Sequence, residues 1–442
     1  MKIEQFYDEN LAHASYAILS ENEIALIDPA RDPHPYFQYA EKNNATIKAV
    51  IETHPHADFV SSHVEISKKT GAGIYVSSLL NPLYDFTPFD EGDTISIGKI
   101  KLRAINTPGH SPDSISVIIT DEDGKDYALA SGDTLFIGDV GRPDLRENAG
   151  AIQKARQDLA RMMYDSIHEK LLKLSDDVLV YPAHGAGSLC GKALSQERVS
   201  TIGQQRKENY ALQPMSEEKF VETLLQDQPM IPKYFGNSVE LNRKGAPDFE
   251  ASIAAVPMLD KNSKLEENIL VVDSRSKENY GKGHLKGSIN IPDCKSFETW
   301  LGAIVGPDEN FYLICESEEK CNELIRRIAK IGYEGLIKGA LTNPDNANEK
   351  VSEFDYEAFK ENSSFFNILD VRNFGERRDR VIFEKSEFIP LNQLRERLDE
   401  IKTDKPIVIH CAGGMRSAIA QSIVQSKKDT QVFDLGEKVR EY

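Results

Sequence analysis

Residues 53–58, with the sequence THPHAD, carry the side chains most able to do chemistry. Two histidines and an aspartate stand there within five positions, directly after the apolar run 47–51, which predicts a buried strand. Imidazole and carboxylate groups at the end of a strand are ligands that a divalent transition metal binds. Ordinary polar loop residues would explain a single His-x-His pattern equally well.

Three later predicted strands end on the same kinds of residue. His110 closes a Pro-Gly-His segment, Asp133 lies in Gly-Asp-Thr, and His184 closes Pro-Ala-His. Chance does not readily place such side chains at four strand ends, and loops at one edge of a rigid sheet often carry function. The sequence therefore predicts a metal site.

The elements that must position these residues alternate between strands and helices. Strand patterns cover 16–19, 24–27, 94–97, 101–105, 114–120, 127–130 and 178–181, and helical patterns cover 35–44, 60–69, 151–174 and 196–210. The helix at 60–69 is expected to end at Gly71. This order predicts a layered α/β domain over residues 1–245, followed by a linker over 246–262.

The motifs at 53–58, 107–110, 131–133 and 182–185, in this order and spacing, resemble the metallo-β-lactamase superfamily. The resemblance implies an αββα sandwich with the metal at one edge and, carried over residue by residue, the ligands His54, His110 and Asp133. The first motif of the family usually reads His-x-His-x-Asp-His, and its last histidine binds a second metal. Phe59 stands at that position here and has no lone pair to offer, which favours one metal ion per chain.

Two histidines and one carboxylate match the ligands of non-haem Fe(II) oxygenases, although zinc accepts the same set. We expect His56, Asp58 and His184 to orient the ligands and to hydrogen-bond the substrate or oxygen. The alternative is that these three residues are polar groups left over from a two-metal ancestor.

The stretch 133–144, DTLFIGDVGRPD, is similar to the segment that sets persulfide dioxygenases apart from glyoxalase II-like thioesterases. Arg142 is a fixed cation that would hold an anionic substrate, unless it forms a structural ion pair with Asp144. Cys190 is either a small buried apolar residue or a thiol near the metal that takes or hands over sulfane sulfur.

The last 180 residues contain one pattern twice, which we call the first copy (263–345) and the second copy (351–442). Each copy has an apolar strand ending in Asp-x-Arg. Each also has a cysteine between a buried strand and a helix, where free backbone N–H groups lower the pKa of a thiol. The second copy reads CAGGMRS over 411–417 and matches the Cys-x4-Arg-Ser active site of the rhodanese family. The resemblance implies that Cys411 is a nucleophile that carries a persulfide.

The remainder of that loop is suited to an anion. Gly413 and Gly414 let the backbone curl around it, Arg416 adds a positive charge, and Ala412 and Met415 complete the substrate loop. The corresponding loop of the first copy, CESEEKC over 315–321, has no glycine and three carboxylates. These raise the pKa of a thiol and repel thiosulfate or sulfite, so the first copy is predicted to be an inactive scaffold. A redox pair of its two cysteines is the alternative.

The composition of the chain argues against some classes of binding partner. The chain has 442 residues and a formal net charge of −18, which argues against nucleic acid or an anionic membrane as the main partner. Five widely spaced cysteines imply no disulfide framework and fit a reducing cytoplasm. No signal peptide and no apolar run of about 20 residues are evident.

The whole chain resembles a persulfide dioxygenase–sulfurtransferase fusion. The resemblance implies one Fe(II) per chain, oxidation of a small-molecule persulfide by O2 to sulfite, and transfer of sulfane sulfur by Cys411 to give thiosulfate, or the reverse, in sulfide detoxification. It also favours a homo-oligomer. One alternative is a mononuclear zinc hydrolase of the glyoxalase II type with regulatory rhodanese domains, and another is a non-enzymatic sulfur carrier with a structural metal.

Overall fold

The computed structural model describes residues 1–146 and 155–442. The chain forms two compact units, Met1–Ala251 with Ala329–Gly332, and Ser252–Ile328 with Tyr333–Tyr442. In the described residues, no helix combines the length and the apolar character that crossing a membrane requires.

Two six-stranded sheets form the first unit, in the orders β1-β2-β3-β4-β5-β6 and β12-β11-β10-β9-β8-β7. The strands are β1 (Lys2–Asp8), β2 (His13–Ser20), β3 (Glu23–Ile27), β4 (Thr46–Ile51), β5 (Gly73–Val76), β6 (Thr87–Pro88), β7 (Thr94–Ile97), β8 (Ile100–Asn106), β9 (Ile115–Thr120), β10 (Asp126–Gly132), β11 (Leu179–Pro182) and β12 (Ser200–Thr201). The helices are α1 (His34–Lys42), α2 (His63–Thr70), α3 (Arg156–Asp165), α4 (Ile202–Glu208), α5 (Glu217–Leu225) and α6 (Phe235–Lys244), and α7 (Phe249–Ala254) begins in the first unit and ends in the second.

Side chains alternate between the two faces of each strand, and this gives the first unit four layers. Ile18 of β2 packs in one cluster with Leu102 of β8 and Val117 of β9, so the two sheets face each other across a shared core. Neighbouring residues point outwards, where α1 and α2 cover the first sheet and α3, α4 and α5 cover the second. The expected αββα sandwich is confirmed.

Three predicted helices differ from the structure in their boundaries. Residues 196–210 contain a short strand before α4, because Ser200 and Thr201 pair with β11, and the Thr201 side chain then caps α4 by accepting from the amide of Gln204. Helix α2 begins at His63 and ends, as expected, at Gly71 in the left-handed conformation (φ 76°). Of the predicted helix 151–174, residues 151–154 lie outside the described residues, and the rest is α3 with short helical turns up to Lys173.

The second unit holds two four-stranded sheets whose strands all run parallel. The strands are β13 (Leu270–Asp273), β14 (Ile289–Asn290), β15 (Phe311–Cys315), β16 (Ile337–Thr342), β17 (Asn367–Asp370), β18 (Glu387–Phe388), β19 (Ile407–His410) and β20 (Val432–Asp434). The helices are α8 (Lys277–Lys282), α9 (Phe297–Ile304), α10 (Glu318–Ala329), α11 (Tyr356–Glu361), α12 (Phe374–Asp379) and α13 (Met415–Gln425).

The two sheets repeat one topology, β14-β13-β15-β16 and β18-β17-β19-β20. In each sheet an aspartate ends the second strand and pairs with the residue before the loop cysteine, as Asp273 with Ile314 and Asp370 with His410. The predicted pair of α/β copies is therefore present.

Candidate metal centre and sulfur-transfer loop

Three donor atoms converge at the edge of the first unit. Nε2 of His54 lies 3.7 Å and Nε2 of His110 lies 3.5 Å from Oδ2 of Asp133. All three side chains are buried. Each follows a strand of the sandwich, so the sheets fix the three positions from different parts of the chain.

One glycine permits this convergence. Gly132, directly before Asp133, has φ of +55°, and a Cβ at this position would lie 2.6 Å from Oγ1 of Thr53. Any larger residue would separate the end of β10 from the loop that carries His54. The local sequence therefore brings the carboxylate and the first histidine together.

Asp28, at the end of β3, organises the histidine loop, and the sequence analysis did not single it out. Its carboxylate accepts hydrogen bonds from the amide and the hydroxyl of Thr53, at 2.7 and 2.8 Å. The same carboxylate lies 3.2 Å from Nε2 of His56. In the sequence, Asp28 was marked only by its position at the end of a predicted strand. Because β3 and β4 pair in parallel, their ends meet, and this brings Asp28 to the histidine loop. Asp28 thus holds the loop and one ring of the His-x-His pattern.

His184 bridges two carboxylates. Its Nδ1 lies 2.8 Å from Oδ1 of Asp133, and its Nε2 lies 2.8 Å from Oδ2 of Asp58. Burial would lower the pKa of His184, but Asp133 and Asp58 raise it well above the ordinary value. The ring therefore orients the carboxylate that the two other histidines face.

The pKa shifts of the three donor residues favour the protonation states that bind a cation. Burial and then His56 hold the pKa of His54 well below its usual value, and burial lowers the pKa of His110. Burial would raise the pKa of Asp133, yet His184 and the two other histidines keep it well below the ordinary range. Neutral imidazoles and an ionised carboxylate are the forms that ligate metals.

The hydrogen bonding of the donor atoms is a second observation that fits a divalent metal. Nε2 of His54 and Oδ2 of Asp133 are fully buried and make no hydrogen bond to any described residue. Buried polar atoms in proteins are nearly always satisfied, so the two atoms point to a missing ligand. His54, His110 and Asp133 together offer atoms that all lie within 4.8 Å of one another.

Phe59 occupies the end of the first motif. Its ring is 1% exposed and lies 3.8 Å from the ring centre of His13 and 4.3 Å from that of His56. It fills the space between these imidazoles without adding a donor atom.

Arg142 and Cys190 are both buried beside this region. The Arg142 guanidinium makes two 2.7 Å hydrogen bonds to Asp144 and also donates to the carbonyls of Leu189 and Met230. The structure therefore contains the ion pair that the sequence left as an alternative to substrate binding. Cys190 groups with Asp58 and His184, and burial followed by the nearby carboxylates raises the pKa of its thiol well above the ordinary value.

The loop of the second copy encloses the Cys411 sulfur. The amide of Gly414 donates to Sγ at 3.1 Å, and the Ser417 hydroxyl lies 3.4 Å away. Gly414 has φ of +98°, a conformation that suits glycine. Ala412 and Gly413 are exposed and Met415 is 38% exposed, so the loop is open to small molecules on one side.

Arg416 differs from the simple cation expected at this loop. Its guanidinium makes a two-point contact with Glu376, at 2.6 and 2.7 Å. Burial would raise the pKa of Glu376, but Arg416 lowers it, so the pair is ionised. Glu376 was not singled out from the sequence, because it lies 40 residues from the loop.

The first copy has a disulfide between Cys315 and Cys321. The bonded residues are the two that the sequence analysis named as a redox pair, its alternative to an inactive loop, and the curvature of the loop brings them together. Glu316 of this loop accepts from the amide of Ser276 and from the side chain of Asn279.

Comparison with known proteins matches two parts of the chain to known families. Residues 9–184 match the metallo-beta-lactamase superfamily, and residues 258–341 and 355–442 match the rhodanese-like domain. The solved metallo-beta-lactamase from Staphylococcus aureus subsp. aureus COL is 34% identical, with a TM-score of 0.68, over 77% of this chain and 98% of that one.

Two named proteins each match about two fifths of the chain. The probable metallo-hydrolase YqgX of Bacillus subtilis (strain 168) is 32% identical over 191 residues, 39% of this chain and 84% of its own length. The mitochondrial persulfide dioxygenase ETHE1 of Homo sapiens is 29% identical over 179 residues, 40% of this chain and 64% of its own length. With its αββα sandwich and its paired C-terminal copies, the chain belongs to the metallo-beta-lactamase superfamily and fuses that domain to two rhodanese-like domains.

Proposed function

We propose that the chain is an Fe(II)-dependent persulfide dioxygenase coupled to a sulfurtransferase. The first reaction takes a low-molecular-weight persulfide, O2 and water to a thiol and hydrogen sulfite, R–S–S⁻ + O2 + H2O → R–SH + HSO3⁻. The second moves sulfane sulfur through Cys411 to sulfite and gives thiosulfate, or runs in reverse. The expected role is sulfide detoxification.

The observation that carries the proposal is the donor set of His54, His110 and Asp133. Two imidazoles and one carboxylate leave other positions of a metal open, which is the arrangement of non-haem Fe(II) oxygenases. Iron bound there supplies the redox chemistry that makes O2 reactive towards a persulfide sulfur. Similarity to a persulfide dioxygenase supports the same assignment.

The residues around the donors prepare the site. His184 fixes the orientation of Asp133 by one ring nitrogen and engages Asp58 by the other. Asp28 and Thr53 hold the loop that carries His54. Thr53, His56 and Asp58 are each at most 4% exposed, so bulk water has little access behind the donors.

The Cys411 loop is suited to a persulfide. The Gly414 amide donates to Sγ and stabilises negative charge on the sulfur, and the Ser417 hydroxyl contacts the same atom. A sulfane sulfur bound to Cys411 then leaves to a nucleophile such as sulfite, and the cysteine thiolate departs.

A second candidate function is supported by a separate observation. A zinc thioester hydrolase accepts the same donors, and the chain is 32% identical to a probable metallo-hydrolase over 191 residues. The two proposals differ in metal and in reaction, since only the dioxygenase consumes O2.

O2 consumption decides between them. The chain, purified without air and loaded with iron, is offered persulfides of glutathione, coenzyme A, bacillithiol and cysteine, and sulfite and thiosulfate are quantified. We expect O2 uptake matched by these products. A sample that shows no uptake with any persulfide but hydrolyses a thioester would instead support the hydrolase.

A further inference from the structure

The two copies place different side chains at one shared pair of positions. Cys315 ends β15 and Cys411 directly follows β19, the equivalent strand, and both strands have the same register with the neighbouring aspartate. Six positions later, Cys321 stands in the first copy and Ser417 in the second. The pair is Cys–Cys in one copy and Cys–Ser in the other.

Both pairs are in contact. Sγ of Cys411 lies 3.4 Å from the hydroxyl oxygen of Ser417, and the first copy joins Cys315 to Cys321 through a disulfide with a Cα–Cα distance of 5.4 Å. This distance lies in the usual range for a disulfide. The turn from strand to helix therefore brings the two positions together in both copies, and two thiols there are placed to bond.

Burial does not distinguish the two loops. Cys315 and Cys321 are 0% exposed, and Cys411, the proposed nucleophile, is 1% exposed. Access to a sulfur in either copy thus depends on movement of the loop. The two copies differ in the residue six positions after the loop cysteine and in the charge of the loop.

We propose that Cys315 and Cys321 form a dithiol that reduces a persulfide and releases sulfide. The Cys315 thiolate attacks the outer sulfur of R–S–SH, the S–S bond breaks, and R–SH leaves after taking a proton. The Cys321 thiolate then attacks Sγ of the Cys315 persulfide, forming the disulfide and expelling HS⁻. In total, R–S–SH and two cysteine thiols give R–SH, hydrogen sulfide and one disulfide. The sulfane sulfur is reduced and the two cysteine sulfurs are oxidised.

Charge separates this outcome from that of the second copy. Glu316, Glu318 and Glu319 all belong to the first loop and are exposed. Their charge disfavours anions, both the R–S–S⁻ form of the donor and an acceptor such as sulfite, so the donor reacts as neutral R–S–SH and the neighbouring Cys321 is the acceptor. The first copy then releases sulfide where the second copy forms thiosulfate. The site reacts once until a thiol reductant restores it.

This proposal rests on the proposed function, because it uses the same persulfide, and an anaerobic assay tests it separately. The full chain with Cys411→Ser is reduced with dithiothreitol, desalted and given glutathione persulfide without O2. We expect about one sulfide per chain and loss of the Cys315 and Cys321 thiols. Peptide mass mapping should locate the new disulfide between them.

The matched control is Cys321→Ser in the same background, which recreates the Cys–Ser pair that the second copy already folds around. It should keep one sulfane sulfur on Cys315 and release no sulfide. Undiminished sulfide release from this variant, or none from its parent, would overturn the proposal. O2 uptake by the same preparations in air tests the dioxygenase independently, so uptake without anaerobic sulfide release defeats only the dithiol site.

The second copy offers a reciprocal test. Ser417→Cys in the otherwise unchanged chain places a second thiol at the 3.4 Å contact with Cys411. We expect a disulfide in the second loop, sulfide in place of thiosulfate, and a loss of sulfurtransferase activity that dithiothreitol reverses. Full thiosulfate formation by this variant without reductant would contradict the geometric argument.

Discussion

Nδ1 of His184 lies 2.8 Å from Oδ1 of Asp133, and this contact fixes the carboxylate whose other oxygen faces His54 and His110. Replacing His184 with alanine should therefore lower metal affinity by about 10- to 100-fold, the usual effect of removing a residue that orients a ligand. Competition with a chromophoric chelator measures it. His34→Ala, at a half-buried histidine outside the donor cluster, should bind metal as the parent does. Equal affinity of the His184 variant and the parent would remove this role.

We predict that Phe59 limits the site to one ion, because its ring fills the last position of the first motif without a donor. Metal analysis of the parent should give about one ion per chain, and Phe59→His about two. Phe59→Leu is the matched control and should stay near one. A parent that binds about two ions per chain would show that other residues replace the missing histidine.

The strand-end residues of the site were predictable because an apolar run reports where a strand stops. His54, His110, Asp133 and His184 each follow such a run, and the fold gathers strand ends at one edge. Asp28 shares that property, but a lone aspartate after a strand is too common to single out.

Partners that come from distant segments were not predictable. Glu376 reaches Arg416 across 40 residues, and Asn209 reaches the carbonyl of Phe136 across 73. Local periodicity describes one element at a time, whereas these contacts depend on how a helix and a loop pack on the same sheet. Arg142 was left between two roles for a different reason, since Asp144 lies only two residues away and spacing alone does not show whether the two side chains pair.

Asp370 couples the stability of the second copy to pH. Its side chain is fully buried and accepts from Arg372 at 2.7 and 2.9 Å. Burial would raise the pKa of Asp370, but Arg372 holds it below the ordinary value. The contribution is therefore complete above the unfolded pKa of about 3.9 and is lost as pH falls through the lower folded value.

At pH 7, Asp370→Asn should destabilise the second unit by roughly 3–5 kcal/mol, because it breaks a buried ion pair. Urea unfolding followed by circular dichroism measures this difference, which should shrink below about pH 4. Asp404→Asn, at an exposed aspartate of the same copy, is the control and should cost little. A difference between Asp370→Asn and the parent that stays constant down to about pH 2.5 would contradict the ionised pair.

Glu376 neutralises the cation of the Cys411 loop. Glu376→Gln should free Arg416 and lower KM for thiosulfate roughly fivefold, since one released charge is worth on the order of 1 kcal/mol. Steady-state sulfur transfer from thiosulfate to cyanide measures it. Glu400→Gln, which breaks a similar two-point pair with Arg397, is the matched control and should leave KM unchanged. The same KM in both variants would mean that Arg416 does not meet the anion.

Cys411→Ser tests the division of labour between the two kinds of site. The proposed dioxygenase donors all lie in the first unit and Cys411 lies in the second, so the variant should consume O2 at the parental rate while thiosulfate formation is lost. Sulfite should accumulate in its place, because the persulfide is still oxidised but no sulfane sulfur is transferred. O2 electrode traces with ion chromatography of the products measure both quantities on one sample. If O2 uptake falls together with thiosulfate, Cys411 supplies something that the first reaction needs, and the two activities are not separable.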